Sequence, residues 1–162
     1  LAVTIAQGGR SVILVDADLR RPEQHQIFGI MNERGLSNSL LDETLVINPP
    51  LVESGVQGLQ ILPAGPQPPN PAELLASSRM VQLIESLSAQ ADVLLFDVPP
   101  VMAVTDASIL GRYTDGLMLI LLARETKREH AVRARALLEQ VGVRLIGTVL
   151  INARVDSNLT GY

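Results

Sequence analysis

Cysteine and tryptophan are absent from the chain, and lysine occurs once, at Lys127. Without cysteine there is no disulfide, no thiol nucleophile and no cysteine-ligated cluster, a composition at home in a reducing compartment. Aromatic residues make up only 2% of the sequence, so any core must be aliphatic. Basic residues are outnumbered by acidic ones, 13 to 17, and the resulting net charge of -4 excludes nucleic-acid binding through a broad basic surface. No nucleic-acid partner is expected. His25 and His130 stand apart on polar stretches with no second histidine at metal-binding spacing, and Ser77, Ser78 and Ser108 lack a histidine to activate them. The longest apolar run, Leu117 to Ala123, is far too short to cross a bilayer, and the start shows no signal-type pattern. The remaining material is 162 residues at 47% hydrophobic, enough for one domain with a sizeable core.

The stretch "SVILVDADLRRP", Ser11 to Pro22, pairs an apolar run with an abrupt cluster of charge. A Val- and Ile-rich run of this length suits a strand covered on both faces, as in a parallel sheet with helices above and below. Its carboxyl end is then a rim where ligands bind, and Asp16 and Asp18 share one face if the strand continues. A solvated turn with Pro22 opening the next helix reads this stretch equally well. "ADVLLFDVPPV" repeats the pattern, with Asp97 ending the run and two prolines preventing further pairing. Carboxylates converging from two strands would repel unless a divalent cation sat among them, and magnesium prefers such oxygen ligands. Taken alone, an apolar strand ending in Asp carries little weight, because many buried strands end so.

Between and after these runs the pattern alternates. A short helix is expected from Pro22, another in "GLSNSLLDETL" with Ser37 able to cap it, then the strand "LQILPA". Asn70, Pro71 and Glu73 supply a cap, a first-turn proline and an acid, so a helix starts there and pauses at Ser77 and Ser78 before "RMVQLIESLSAQ". A short helix near Thr105, the strand "GLMLILLA", a helix closed by Gly142 and the strand "VRLIGTVLIN" complete the chain. Such alternation predicts an α/β fold with a mostly parallel sheet and helices on both faces. "LAVTIAQGG" reads as the last turns of a helix, and Leu1 is no initiator, so a fragment is expected.

"VILVDADLRRP", "LPAGPQPPNPAELLASS" and "LLFDVPPVMAVTDAS", in this order and at this spacing, resemble the cytoplasmic kinase domain of bacterial tyrosine kinases that regulate capsular and exopolysaccharide export. The resemblance runs from about Val12 to Asn152. The Asp-x-Asp-x-Arg segment corresponds to that family's Walker A′ motif and Asp-x-Pro-Pro to its Walker B. "PPNPAELL" separates the family from the partition and division-site ATPases, which share the other two motifs. The resemblance implies a P-loop NTPase-like fold, with residues 1–152 as a truncated kinase-like domain and 153–162 as the start of a flexible tail.

Carried onto this chain, the resemblance makes Asp18 and Asp97 magnesium-shell residues and Asp16 the group that takes or orients the acceptor tyrosine's proton. Asn152 resembles the asparagine that contacts adenine, and Tyr162 is the candidate phosphoacceptor on the tail. ATP and magnesium are the implied cofactors. The implied partners are further copies through the kinase domains, a membrane activator or chain-length determinant, and a tyrosine phosphatase. The implied location is the cytoplasmic face of the plasma membrane. Arg20 and Arg21 have three readings: pairing with the carboxylates, neutralising phosphate, or a subunit contact. The family's Gly-Lys-Ser/Thr phosphate loop and the strand leading into it are missing, since Lys127 lies in "ETKREH" with no glycine run before it. Two alternatives remain: a partition-type ATPase, and a non-catalytic assembly partner.

Overall fold

The computed structural model describes residues 1–153, which fall in two compact units, Leu1–Leu110 and Gly111 onward. The first unit runs α1 (Ala2–Gln7), β1 (Val12–Asp16), α2 (Gln24–Phe28), α3 (Leu36–Leu41), α4 (Glu43–Ile47), β2 (Val52–Glu53), β3 (Leu59–Leu62), α5 (Pro71–Leu75), α6 (Ser78–Ser88), β4 (Val93–Asp97) and α7 (Asp106–Leu110). Its strands form one sheet in the order β2-β3-β1-β4. β1 is parallel to both neighbours, and only the two-residue β2 runs antiparallel, at the edge.

β1 is buried along its whole length, and its side chains alternate between two cores. Ile13 and Val15, followed by Ala17 and Leu19, face a cluster with Leu36, Leu40, Leu75, Met80, Leu83 and Leu87. Val12 and Leu14 face the other way, onto Ala2, Ala6, Leu59 and Ile61. Helices therefore cover both faces of the sheet, as the continuous apolar run requires. In α6 the three buried side chains Met80, Leu83 and Leu87 recur at helical spacing, so one stripe of that helix meets the sheet.

Several local expectations change. Ser37 does not cap α3. The helix starts at Leu36, two residues before the start a Ser37 cap would give, and the N–H groups of Leu36 and Ser37 donate to the carbonyls of Pro63 and Ala64 at 2.7 and 2.9 Å. This close approach needs glycine at position 35, where a Cβ would collide with the Pro63 carbonyl oxygen. "GLSNSLLDETL" forms two helices rather than one. Asp42 is extended between them, and its carboxylate accepts the Thr44 N–H at 2.9 Å, restarting the helix as α4. Asn70 precedes α5 without capping its backbone, and its amide donates instead to Glu73. α2 begins at Gln24, two residues after Pro22, where the Gln24 N–H finds a carboxylate partner described below.

The second unit is a single strand-helix-strand turn: β5 (Leu117–Leu122), α8 (Arg128–Gln140) and β6 (Leu145–Ile151). β5 and β6 are parallel neighbours with one register shift near Leu117. α8 crosses between them, as parallel strands require. It ends beside Gly142, whose φ of 76° is the left-handed conformation glycine adopts at helix ends. Among the described residues no helix is long and apolar enough to cross a membrane.

Candidate functional site: a carboxylate rim at the ends of two parallel strands

β1 and β4 end together. Their register pairs Asp16 with Asp97, the last residue of each strand, and the ladder extends one bond further through Ala17 N–H to the Asp97 carbonyl at 2.8 Å. The two aspartates contrast in environment. Asp16 is wholly buried, whereas Asp97 is exposed. Asp16 Oδ2 accepts the Gln24 N–H at 3.0 Å, while Oδ1 is buried with no hydrogen-bond partner among the described residues.

Burial disfavours the Asp16 carboxylate and is the main reason its pKa rises from 3.8 to about 6. The negative charges of Asp97 and Asp18 push in the same direction, against the Gln24 N–H that favours the ionised form. A carboxylate with a pKa of about 6 is ionised at neutral pH yet accepts a proton more readily than an ordinary aspartate.

Gln24 links the two strand ends. Its backbone N–H serves Asp16, and its side-chain Nε2 donates to Asp97 Oδ2 at 2.6 Å. Asp18 lies beyond the strand, half-buried, and its Oδ1 accepts the N–H groups of Arg20 and Arg21 at 3.1 and 2.9 Å. The carboxylate thus holds the turn in which it sits. The expected convergence of three carboxylates is therefore only partly met. Asp18 is near enough to raise the Asp16 pKa, but among the described residues no three acidic or imidazole side chains stand together as a cation cage.

The arginines separate. The Arg20 guanidinium pairs with none of Asp16, Asp18 and Asp97. Its Nε and Nη2 donate to Asp106 Oδ2 and Oδ1 at 3.0 and 3.2 Å, a two-point fork on a wholly buried carboxylate. Arg21 is exposed and contributes its backbone N–H to Asp18. Gln24 and Asp106 are the residues that sequence reasoning missed. For Asp106 there was a signal in "VTDAS": an acid opening a helix soon after the double proline that terminates β4. Gln24 carried no such signal.

Asn152 follows β6 in the second unit, exposed and at φ 57°. Tyr162 lies outside the described residues. Lys127 is exposed at the start of α8. His25, on a polar stretch of the sequence, is half-buried with Nδ1 unpartnered among the described residues.

Carboxylate oxygens that the fold leaves free, at the ends of neighbouring parallel strands, are the chemistry a magnesium ion satisfies. The residues present fit that ion: Asp97 offers an exposed carboxylate, and Asp18 uses only Oδ1 in its turn.

No protein-family model matches the chain. Over all 162 residues it is 36% identical to CapB of Staphylococcus aureus, assigned as a tyrosine-protein kinase, and it spans 71% of that protein. The chain belongs to the bacterial tyrosine kinase family. It is also 36% identical to the tyrosine-protein kinase etk of Escherichia coli, of whose length it spans 22%. The solved kinase domain of that enzyme superposes with a TM-score of 0.86 at 35% identity, covering 96% of this chain and 62% of the domain. The fold extends further. The cell-division ATPase MinD of Pyrococcus furiosus matches with a TM-score of 0.75 at 20% identity, covering 96% of this chain and 65% of that one. The α/β, mostly parallel P-loop NTPase-like class is thus that of the chain's structural relatives.

Proposed function

We propose that this chain forms part of an ATP-dependent protein-tyrosine autokinase of capsule or exopolysaccharide production. Residues 1–152 would belong to its kinase domain and 153–162 to the start of its tail. The observation that carries the reading is the register pairing of Asp16 with Asp97, which sets a buried carboxylate with a spare oxygen beside an exposed one at a sheet rim. Family membership supplies the reaction class.

In this reading Asp18 and Asp97 hold magnesium, which when bound neutralises charge on the phosphates of ATP. Asp16 does the protein's own chemistry. The acceptor tyrosine's oxygen bonds to the γ-phosphorus, the bond from that phosphorus to the bridging oxygen of ADP breaks, and the phenolic proton passes to the Asp16 carboxylate. A phenol has a reference pKa near 10, so a carboxylate poised near neutrality assists once the new bond has begun to form. Burial of Asp16 serves this purpose by raising its basicity, and the Gln24 N–H fixes one oxygen so that the other is left for the proton. Asn152 is proposed to contact adenine and Tyr162 to be the acceptor, presented to a second copy of the protein. The wider assignment follows the family: self-association through kinase domains, a membrane activator, a tyrosine phosphatase acting in reverse, and a place at the cytoplasmic face of the membrane.

The test uses the full chain with its natural flanking sequence. Asp16→Asn should lower tyrosine phosphorylation about a hundredfold to ten-thousandfold while leaving nucleotide affinity nearly intact. Unchanged phosphorylation removes Asp16 from the reaction, and ATP turnover without any phosphotyrosine replaces the kinase reading with a partition-type ATPase.

A further inference from the structure

Asp106 is a wholly buried carboxylate that the reaction as described does not use. It opens α7, which follows the segment leaving Asp97 at the end of β4. Its partner, Arg20, comes from the loop that leaves Asp16 at the end of β1. The fork between them joins positions 86 residues apart. Across the rim, then, the two loops that follow the paired aspartates are tied to each other by one ion pair. The same Arg20 donates its backbone N–H to Asp18, so the residue clamped by Asp106 is also part of the turn that orients the Asp18 carboxylate.

We infer that Asp106 is a positioning residue, which through Arg20 holds the turn that carries the Asp18 carboxylate on the rim it shares with Asp97. The inference rests on the metal reading given above but concerns a residue that touches neither metal nor substrate. The physical logic is that of an outer-shell partner. A guanidinium held at two points has little freedom to turn, and a buried acceptor strengthens both bonds by excluding water. Arg20 is only partly exposed at its side chain, so the restraint reaches its backbone and the N–H that Asp18 accepts. Loss of such partners typically weakens metal binding without removing a ligand.

The experiment compares the full chain with its Asp106→Asn and Arg20→Lys variants in two measurements. Amide hydrogen exchange, with no metal or nucleotide added, should accelerate at least about tenfold over residues 19–21 and stay unchanged in β3. Manganese titration followed by electron paramagnetic resonance should show affinity about tenfold to a hundredfold weaker, although Asp16, Asp18 and Asp97 are all retained. Arg20→Lys keeps the charge but loses the fork, so it should shift both readouts in the same direction by less. It also supplies the answer if Asp106→Asn does not fold.

Unchanged exchange at residues 19–21 overturns the inference. So does acceleration spread evenly over the unit, which makes Asp106 a stabilising residue only, and so does local acceleration with undiminished manganese affinity. Absence of manganese binding by the unsubstituted chain would instead defeat the metal reading, while the exchange measurement still decides whether Asp106 positions the loop.

Discussion

Asp16→Asn should stabilise the metal-free protein at alkaline pH, although it removes the proposed proton acceptor. The buried carboxylate holds its proton up to about pH 6 in the folded state, against 3.8 for an ordinary aspartate. Between those values the unfolded chain has released the proton and the folded one keeps it, so folding binds a proton and stability falls as pH rises. The contribution is fully present below 3.8 and is lost through about 6. A shift of this size corresponds to roughly 3 kcal/mol, most of it developed by pH 8. Asparagine has no charge to bury. It keeps an acceptor for the Gln24 N–H and carries no charge, so the variant escapes this loss. Urea unfolding of both proteins in EDTA, from pH 4 to 8, gives the difference directly, with the other titrating groups cancelling between them. The variant's advantage should grow by about 2.5 kcal/mol across that range, rising between pH 4 and about 6 and levelling off above it. Parallel stability curves, or an advantage of the natural protein that grows with pH, would refute the reasoning by showing Asp16 to be a stabilised anion.

Asp18→Asn retains an acceptor for the Arg20 and Arg21 N–H groups, so the melting temperature should move little while the magnesium concentration needed for activity rises, measured by titration of the full chain. Gly35→Ala should cost about 2–4 kcal/mol in urea unfolding, because its Cβ meets the Pro63 carbonyl and the Gly65 nitrogen where backbone must move to make room. Leu83→Ala, which empties a fully buried site on α6, should cost about 2–5 kcal/mol in the same assay, and a loss under 1 kcal/mol would contradict the packing described.

Much of the architecture was legible from local pattern. A strand buried on both faces needs an unbroken aliphatic run, and "VILV" supplies it; a helix against a sheet needs an apolar stripe at helical spacing, and Met80, Leu83 and Leu87 supply that. The candidate site residues Asp16, Asp18 and Asp97 were visible because charge following an apolar run marks a strand's rim. Helix starts were less legible. Ser37 has the chemistry of a cap, but it lies inside the first turn, where its own N–H and that of Leu36 go to the carbonyls of Ala64 and Pro63, and nothing near Ser37 in the chain announces them.

The same division runs through the site. Which residue types stand at the strand ends is a property of the chain, written by solvent exclusion over four or five consecutive positions. Which of them meet is a property of the sheet: β1 lies between β3 and β4, and that order and register bring Asp16 to Asp97 across 81 positions. Arg20 could serve any carboxylate by its chemistry, and only the return of α7 to the rim gives it Asp106. Burial of Asp16, and with it a pKa near 6, likewise arises from neighbours that no local window contains. Periodicity acts between residues a turn or a pleat apart and is readable along the chain, whereas desolvation and charge pairing depend on distance in space, which only the folded arrangement sets.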